Sequence, residues 1–178
     1  MQSRKELEEF YGSEDPWGYD DNPHDRLRLN TLLSALPERS YRNVLDIGCG
    51  NGFVTVNLPG DRVTGVDISE NAIKYARERS RHLSHISYLQ ASLFDLPFMS
   101  FDCRFDLIVI TGVLYPQYIG ESKLLIYQIC DDLLDGDGVL VSCHISEWYS
   151  CRFPYITIHR EYYPYREYTH LLEVYYKL

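Results

Sequence analysis

The sequence predicts an α/β fold, a mostly parallel sheet with helices on both faces, and three observations carry that prediction. Short apolar runs alternate with segments of helical period, the pattern of strands buried on both faces between crossover helices. One run, Val44-Leu45-Asp46-Ile47, leads straight into the glycine-rich turn Gly48-Cys49-Gly50-Asn51-Gly52. The next run, Val63-Thr64-Gly65-Val66, ends in an acid, Asp67, 19 residues beyond Gly48.

From the N-terminus, residues 14–25 hold five carboxylates and no Lys or Arg, with Pro16, Gly18 and Pro23 as breakers, so a loop is expected. Asn22-Pro23 reads as a helix cap followed by proline at the first helical position. Leu29, Leu32, Leu33 and Leu36 then fall at i, i+3, i+4 and i+7, which predicts a helix over about 24–36. Five strands are expected over 43–47, 62–66, 86–90, 105–110 and 138–144. Between them Ser69 can cap a helix running to about 82, and Ser122 one running to about 134 that Gly136 is placed to end. Units of this kind require right-handed crossovers. From Tyr149 onward the chain holds eight of its sixteen tyrosines. Two further strands are expected there, over 156–162 and 168–177, turning near Pro164 and pairing antiparallel at the sheet edge. Their tyrosines either line a pocket or form an amphipathic cover.

With 178 residues and 45% hydrophobic content, one domain is expected. Apolar runs such as 107–110 are far shorter than the roughly 20 residues that span a bilayer. Arg4, Lys5 and Glu6 charge the N-terminus, so neither a membrane span nor a secretory signal is expected. Five cysteines, an odd number without C-x-x-C spacing, fit reduced thiols and a cytoplasmic location. A formal charge of −9 and a pI near 5.1 repel a phosphate backbone. Nucleic acid is therefore not an expected partner, whereas a neutral or cationic small molecule is compatible.

The chemistry concentrates at the first two strand tips. Gly48 and Gly50 let backbone approach a ligand closely, and the helix expected to follow would present unpaired N–H groups. The dinucleotide fingerprint G-x-G-x-x-G fails at its last glycine, where Phe53 stands. Asp46 would repel a pyrophosphate but welcome an ammonium or an ordered water; alternatively, it ties down the turn. Asp67 can accept both hydroxyls of a ribose, or it caps the helix opening at Ser69.

Together these features resemble the class I S-adenosylmethionine-dependent methyltransferases, whose first motif commonly reads E/D-x-G-x-G-x-G. The resemblance runs from Val44 to Ser142. It implies a seven-stranded Rossmann-like sheet of order 3-2-1-4-5-7-6 and S-adenosyl-L-methionine as cofactor, with S-adenosyl-L-homocysteine as product. In that family the third strand leads to a residue contacting adenine; here Leu89-Gln90-Ala91-Ser92-Leu93 matches, with Ser92 where an acid is usual. A hydroxyl can still accept that bond. Thr111-Gly112-Val113-Leu114-Tyr115 resembles the turn facing the methyl group, and 133–141 the loop and fifth strand that usually read L-x-P-G-G.

A narrower resemblance, carried by Asp15-Pro16-Trp17, by 21–28, by 84–88 and by Val113-Leu114-Tyr115, is to the NodS-like N-methyltransferases, which methylate an amino-sugar nitrogen. It implies a single methyltransferase domain over 1–178: an N-terminal lid and helix (1–38), a cofactor-binding core (43–144) and C-terminal strands (149–178). On this reading the cofactor touches Asp46, Gly48, Cys49, Gly50, Asp67, Ile68, Ser92, Leu93, Thr111, Gly112 and Val113. Trp17 and Tyr19 lie on the lid, where an aromatic face attracts a sulfonium, or they staple the N-terminal segment by packing. Arg28 holds the methionine carboxylate, or belongs to a solvated helix face. The acceptor is a small molecule, an amine or amino sugar, with His144 as candidate base and Tyr115 as positioning group. A metal reading of Cys143, His144, Cys151 and His159 is disfavoured, because the spacing fits no zinc pattern and neighbours on a strand face opposite ways. Two rival functions remain open: a nucleotide-cofactor oxidoreductase, disfavoured by Phe53, and a non-catalytic module that binds the cofactor.

Overall fold

The computed structural model describes residues 4–150 and 152–178. Seven strands form one sheet in the order β3-β2-β1-β4-β5-β7-β6. They are β1 (Asn43–Ile47), β2 (Arg62–Asp67), β3 (Ile86–Gln90), β4 (Phe105–Thr111), β5 (Leu134–Ile145), β6 (Ile156–Tyr165) and β7 (Tyr168–Tyr176). The first five run parallel, while β7 pairs antiparallel with both β5 and β6. The fold class and strand order are those expected.

Burial explains the apolar runs. Every residue of β4 is buried, and its side chains alternate between two cores. Ile108 and Ile110 join a cluster under helix α5 (Lys123–Leu133), while Leu107 and Val109 join one under helix α2 (Pro23–Ala35). Helix α3 (Glu70–Arg79) covers β2 and β3 through Ala72, Ile73 and Ala76. Its cap is Ser69, whose hydroxyl accepts the Ala72 N–H. At α2 the Asn22 side chain accepts the His24 N–H and Pro23 opens the helix, as the sequence indicates. Among the described residues no helix is long and apolar enough to cross a membrane.

Three local expectations are corrected, and one helix is added to them. Residues 4–10 form a helix, α1 (Arg4–Phe10), that composition did not suggest. No α-helix follows the glycine turn; the β-branched run Val54-Thr55-Val56 makes one 3-10 turn (Thr55–Asn57), in keeping with its low helix propensity. At α5, Ser122 makes no side-chain cap bond, and Gly136 does not end the helix. Leu134 is drawn into the core and begins β5, whose register against β4 shifts between Phe105 and Leu107, opposite the segment that contains Gly136. Finally, the C-terminal hairpin turns at Arg166-Glu167, since Tyr165 still pairs with Tyr168 and Pro164 with Thr169. Pro164 is tolerated because β6 is the edge strand. Between β4 and α5 lies the short helix α4 (Pro116–Ile119).

Candidate active site

The tips of β1 and β2 meet. Ile47 is in register with Val66, and the N–H groups of Gly48 and Cys49 both donate to the Val66 carbonyl, at 2.8 and 3.0 Å. Gly48 has φ of +76°, and a Cβ there would lie 2.1 Å from a Val113 methyl, so the turn excludes any side chain on two grounds. Gly50 N–H then donates to Asp67 Oδ2 at 2.9 Å, and Ser69 N–H to Oδ1 at 2.9 Å. The Asp67 carboxylate is thus gripped by backbone from two sides, and the Ile68 N–H adds to that pull. Burial raises its pKa, against the pull of those N–H donors. Its bond to Ser69 accompanies the start of α3, but the cap itself is Ser69.

Asp46 and Arg28 share a second, smaller space. Asp46 is fully buried; its Oδ2 accepts the Thr55 hydroxyl at 2.6 Å and its Oδ1 has no partner. Burial pushes its pKa up to about 6. Arg28, expected either at the ligand or on a solvated face, is buried. Its Nη2 pairs with Asp25 Oδ1 at 3.1 Å, its guanidinium lies 4.9 Å from the centre of the Tyr19 ring, and its Nε is unpartnered. Both side chains border a cavity of about 20 Å³, together with Gly48, Cys49, Gly50 and Thr111. Arg28, ion-paired to Asp25, and Asp46, with one unpartnered oxygen, thus line the same small space. Cys49 contributes backbone there, and its thiol is buried, packing with Ile73, Ala76 and Tyr88.

A cleft of about 170 Å³ opens over the strand tips. Its floor is Gly48, Thr111, Gly112 and Val113, and one end is formed by Asp67, Ile68, Ser92 and Leu93. Ser92 also opens a 3-10 turn (Leu93–Phe98): its hydroxyl accepts the Phe94 N–H at 3.2 Å, and its own N–H donates to Asp95 Oδ2 at 2.9 Å. The roof comes from the N-terminal segment. Trp17 is 37% exposed, lines the cleft, and packs 4.5 Å from Phe10 and 6.4 Å from Tyr19, so the lid and packing roles coexist. Leu7 and Tyr11 of the same segment also line it, as do Phe94 and Tyr118. These were not read from the sequence, although Leu7, Phe10 and Tyr11 stand at i, i+3, i+4 spacing and could have signalled an amphipathic turn. Glu8 holds the lid helix to α3 by accepting from the Ser69 hydroxyl at 3.0 Å and the Asn71 N–H at 3.2 Å.

Two expected site residues lie elsewhere. His144 is fully buried beside Tyr149, ring centres 4.7 Å apart, and borders neither the cleft nor the small cavity. Neither ring nitrogen has a hydrogen-bond partner, and burial lowers its pKa to about 4. The His144 backbone pairs with Leu171 of β7, while its ring leaves the sheet face and packs on Tyr149. Tyr115 is buried too, its hydroxyl accepting the Ile145 N–H at 2.9 Å, so it ties α4 to β5 instead of facing a ligand. Cys143 and His144 indeed face opposite ways, His159 is 3.3 Å from Glu161, and Cys151 lies outside the described residues. Among the described residues no group of three His, Cys, Asp or Glu could hold a metal. Of the C-terminal tyrosines, Tyr162 is exposed whereas Tyr163 and Tyr165 are buried.

The comparisons agree with this geometry. A family model described as a methyltransferase domain matches residues 38–168. Nodulation protein S of Rhizobium tropici is 36% identical over 112 residues, 61% of this chain and 45% of that protein. Nodulation protein S of Sinorhizobium fredii is 35% identical over 106 residues, 58% of this chain and 48% of that protein. The chain therefore spans about half the length of the curated relatives it matches. Among solved structures, N-methyltransferase NodS from Bradyrhizobium japonicum WM9, in complex with S-adenosyl-L-homocysteine, superposes with a TM-score of 0.83 at 26% identity, covering 98% of this chain and 97% of that one. With its sheet in the order that the class I resemblance implied, and with more than half its length inside the family model, the chain belongs to the methyltransferase domain family.

Proposed function

We propose that the chain is an S-adenosylmethionine-dependent methyltransferase acting on a small-molecule amine, with an amino sugar as the acceptor class implied by the NodS-like resemblance. The observation that carries the proposal is the clasp of Gly50 N–H on Asp67, which sets two strand tips around the open cleft. When bound, the cofactor supplies a methyl group on a positively charged sulfur, activated enough to need no acid from the protein.

What the chain supplies is placement. Asp67 offers one oxygen to each ribose hydroxyl, Ile68 and Leu93 flank the base, and the Ser92 hydroxyl accepts from its amino group. Asp46 receives the ammonium and Arg28 the carboxylate of the amino-acid end, with the backbone of Gly48, Cys49 and Gly50 close beside it. Thr111, Gly112 and Val113 floor the position of the sulfur, and Trp17 presents its ring from above. Holding an acceptor in line with that position is worth up to about 7–11 kcal/mol of barrier.

The acceptor amine must arrive unprotonated. The walls near the methyl position, Leu7, Tyr11, Tyr118 and Ile119, are mainly apolar, and desolvation lowers an amine's pKa. This replaces the base that His144 was expected to provide. The net charge of −9 favours approach of a cationic amine over that of an anion.

Two titrations and one assay test the reading. Calorimetric titration should show binding of S-adenosylhomocysteine and none of NADH; the reverse result would return the oxidoreductase reading. Labelled S-adenosylmethionine should then transfer its methyl to at least one member of a panel of free-amine chitooligosaccharides and simple amines. Cofactor binding without turnover on any of them would favour the non-catalytic module.

A further inference from the structure

The C-terminal hairpin reaches back to the N-terminal helix through a buried polar junction. Asp25, on α2, is fully buried and gathers three donors. Tyr165 OH donates to its Oδ1 at 2.8 Å, Arg28 Nη2 pairs with the same oxygen at 3.1 Å, and Arg166 Nη2 donates to Oδ2 at 3.1 Å. The Arg166 nitrogen also donates to the Trp17 carbonyl at 2.7 Å. One guanidinium at the hairpin tip thus touches both the anchor of Arg28 and the backbone of the lid.

Backbone geometry gives an independent reason to single out Arg166. Its φ of +54° is the one positive value outside glycine among the described residues. It occupies the first position of a two-residue hairpin loop between Tyr165 and Tyr168, where a glycine is the ordinary choice. Conformations of this kind persist where surrounding contacts over-determine them, and they cluster at functional sites. Tyr165 is fixed as firmly, its ring stacked on His170 with centres 3.7 Å apart.

From this junction we infer that Tyr165 and Arg166 are positioning residues for the cofactor. They hold Asp25, Asp25 holds the Arg28 guanidinium toward the small cavity shared with Asp46, and Arg166 at the same time pins the lid at Trp17. The inference rests on the reading of Arg28 as the carboxylate ligand. It gives the β6–β7 hairpin, which borders neither cavity through these two side chains, a share in cofactor binding.

Two ligands separate a positioning role from a merely structural one. S-adenosylhomocysteine carries the amino-acid end, whereas 5′-methylthioadenosine keeps the nucleoside and thioether without it. In Tyr165→Phe and in Arg166→Gly, which relieves the backbone while removing the guanidinium, the Kd of S-adenosylhomocysteine should rise about tenfold, the equivalent of one lost charge-assisted hydrogen bond. That of 5′-methylthioadenosine should stay within about twofold in Tyr165→Phe and, in Arg166→Gly, which also frees the lid at Trp17, rise less than that of S-adenosylhomocysteine; Arg166→Lys should recover part of the loss. Equal weakening of both ligands, or of neither, overturns the inference; melting temperatures measured alongside show whether equal weakening comes from lost folding. Arg28→Met in the same pair of titrations tests the underlying reading. If Arg28→Met fails to discriminate the ligands, the carboxylate reading falls and takes the inference with it. If it discriminates and the hairpin variants do not, the inference alone falls.

Discussion

Replacing Asp67 by Asn probes the ribose grip with little change of shape. The carboxylate accepts the Gly50 and Ser69 N–H groups, both at 2.9 Å, and on the proposed reading also accepts from the ribose hydroxyls. An amide has a single oxygen, and its NH2 would confront a backbone N–H that is itself a donor. The variant therefore loses at least one ligand hydrogen bond outright and the charge assistance of the other. At about 1.5–3 kcal/mol for a bond to a charged group and about 1 for a neutral one, the net loss is about 2–4 kcal/mol, or about 30- to 700-fold in Kd. Calorimetric titration of S-adenosylhomocysteine at pH 8 reads this directly. A fall of a few degrees in Tm should accompany it, because one backbone N–H loses its acceptor, at about 2–4 °C per kcal/mol for a chain of this size. A folded variant whose Kd stays within about twofold of the parent would refute the ribose role.

Asp46, with its pKa pushed up to about 6 by burial, should make cofactor affinity depend on pH. On the proposed reading the carboxylate, and not its neutral acid, receives the ammonium, so affinity should be present above pH 6 and fall as pH drops through it; titration from pH 8 to 5 should show this, with a flatter profile in Asp46→Asn. Trp17→Ala should weaken S-adenosylmethionine more than S-adenosylhomocysteine, by about 2- to 30-fold in the ratio of their Kd values, since only the former carries the sulfonium that the ring attracts; an unchanged ratio would assign Trp17 to packing alone. His144→Leu should leave the transfer rate at pH 8 within about threefold, because the ring borders no cavity. Burial lowers the folded pKa of His144 to about 4 from an ordinary 6.5, so the unfolded chain binds the proton first and stability is lost as pH falls from 6.5 toward 4. Thermal melts at pH 7 and pH 5 should therefore differ less in the variant than in the parent.

The strands were legible because a parallel sheet covered on both faces leaves continuous apolar runs, as in β4. The tips were legible because close backbone approach demands glycine at Gly48 and an acid must end the next strand. What escaped the sequence depends on contacts far apart along it. Helix α1 has only seven residues, too few to be stable alone, and is held by Glu8 against α3, some 60 residues on. Arg28 was legible as a cation on a helix, but its burial is decided by Tyr165, 140 residues beyond Asp25. His144 was placed near the acceptor by its position at a strand end; the ring instead packs on Tyr149 in the core. Gly136 failed as a helix stop because burial of Leu134 ended α5 first.

Burial of charge separates function from architecture in this chain more sharply than any motif. Asp46, Arg28 and His144 each carry a buried nitrogen or oxygen without a partner, and each such atom costs about 1–3 kcal/mol relative to a satisfied one. Apolar residues of similar volume would remove that cost, so stability alone does not account for keeping them. The His144 ring lines neither of the two spaces described, and its neutral form limits the penalty. Asp46 Oδ1 and Arg28 Nε are different, because their side chains border the same 20 Å³ space beside Gly48. On the proposed reading, in which these two side chains receive the amino-acid end of the cofactor, S-adenosylhomocysteine should raise Tm by more than the same occupancy of 5′-methylthioadenosine, which lacks that end.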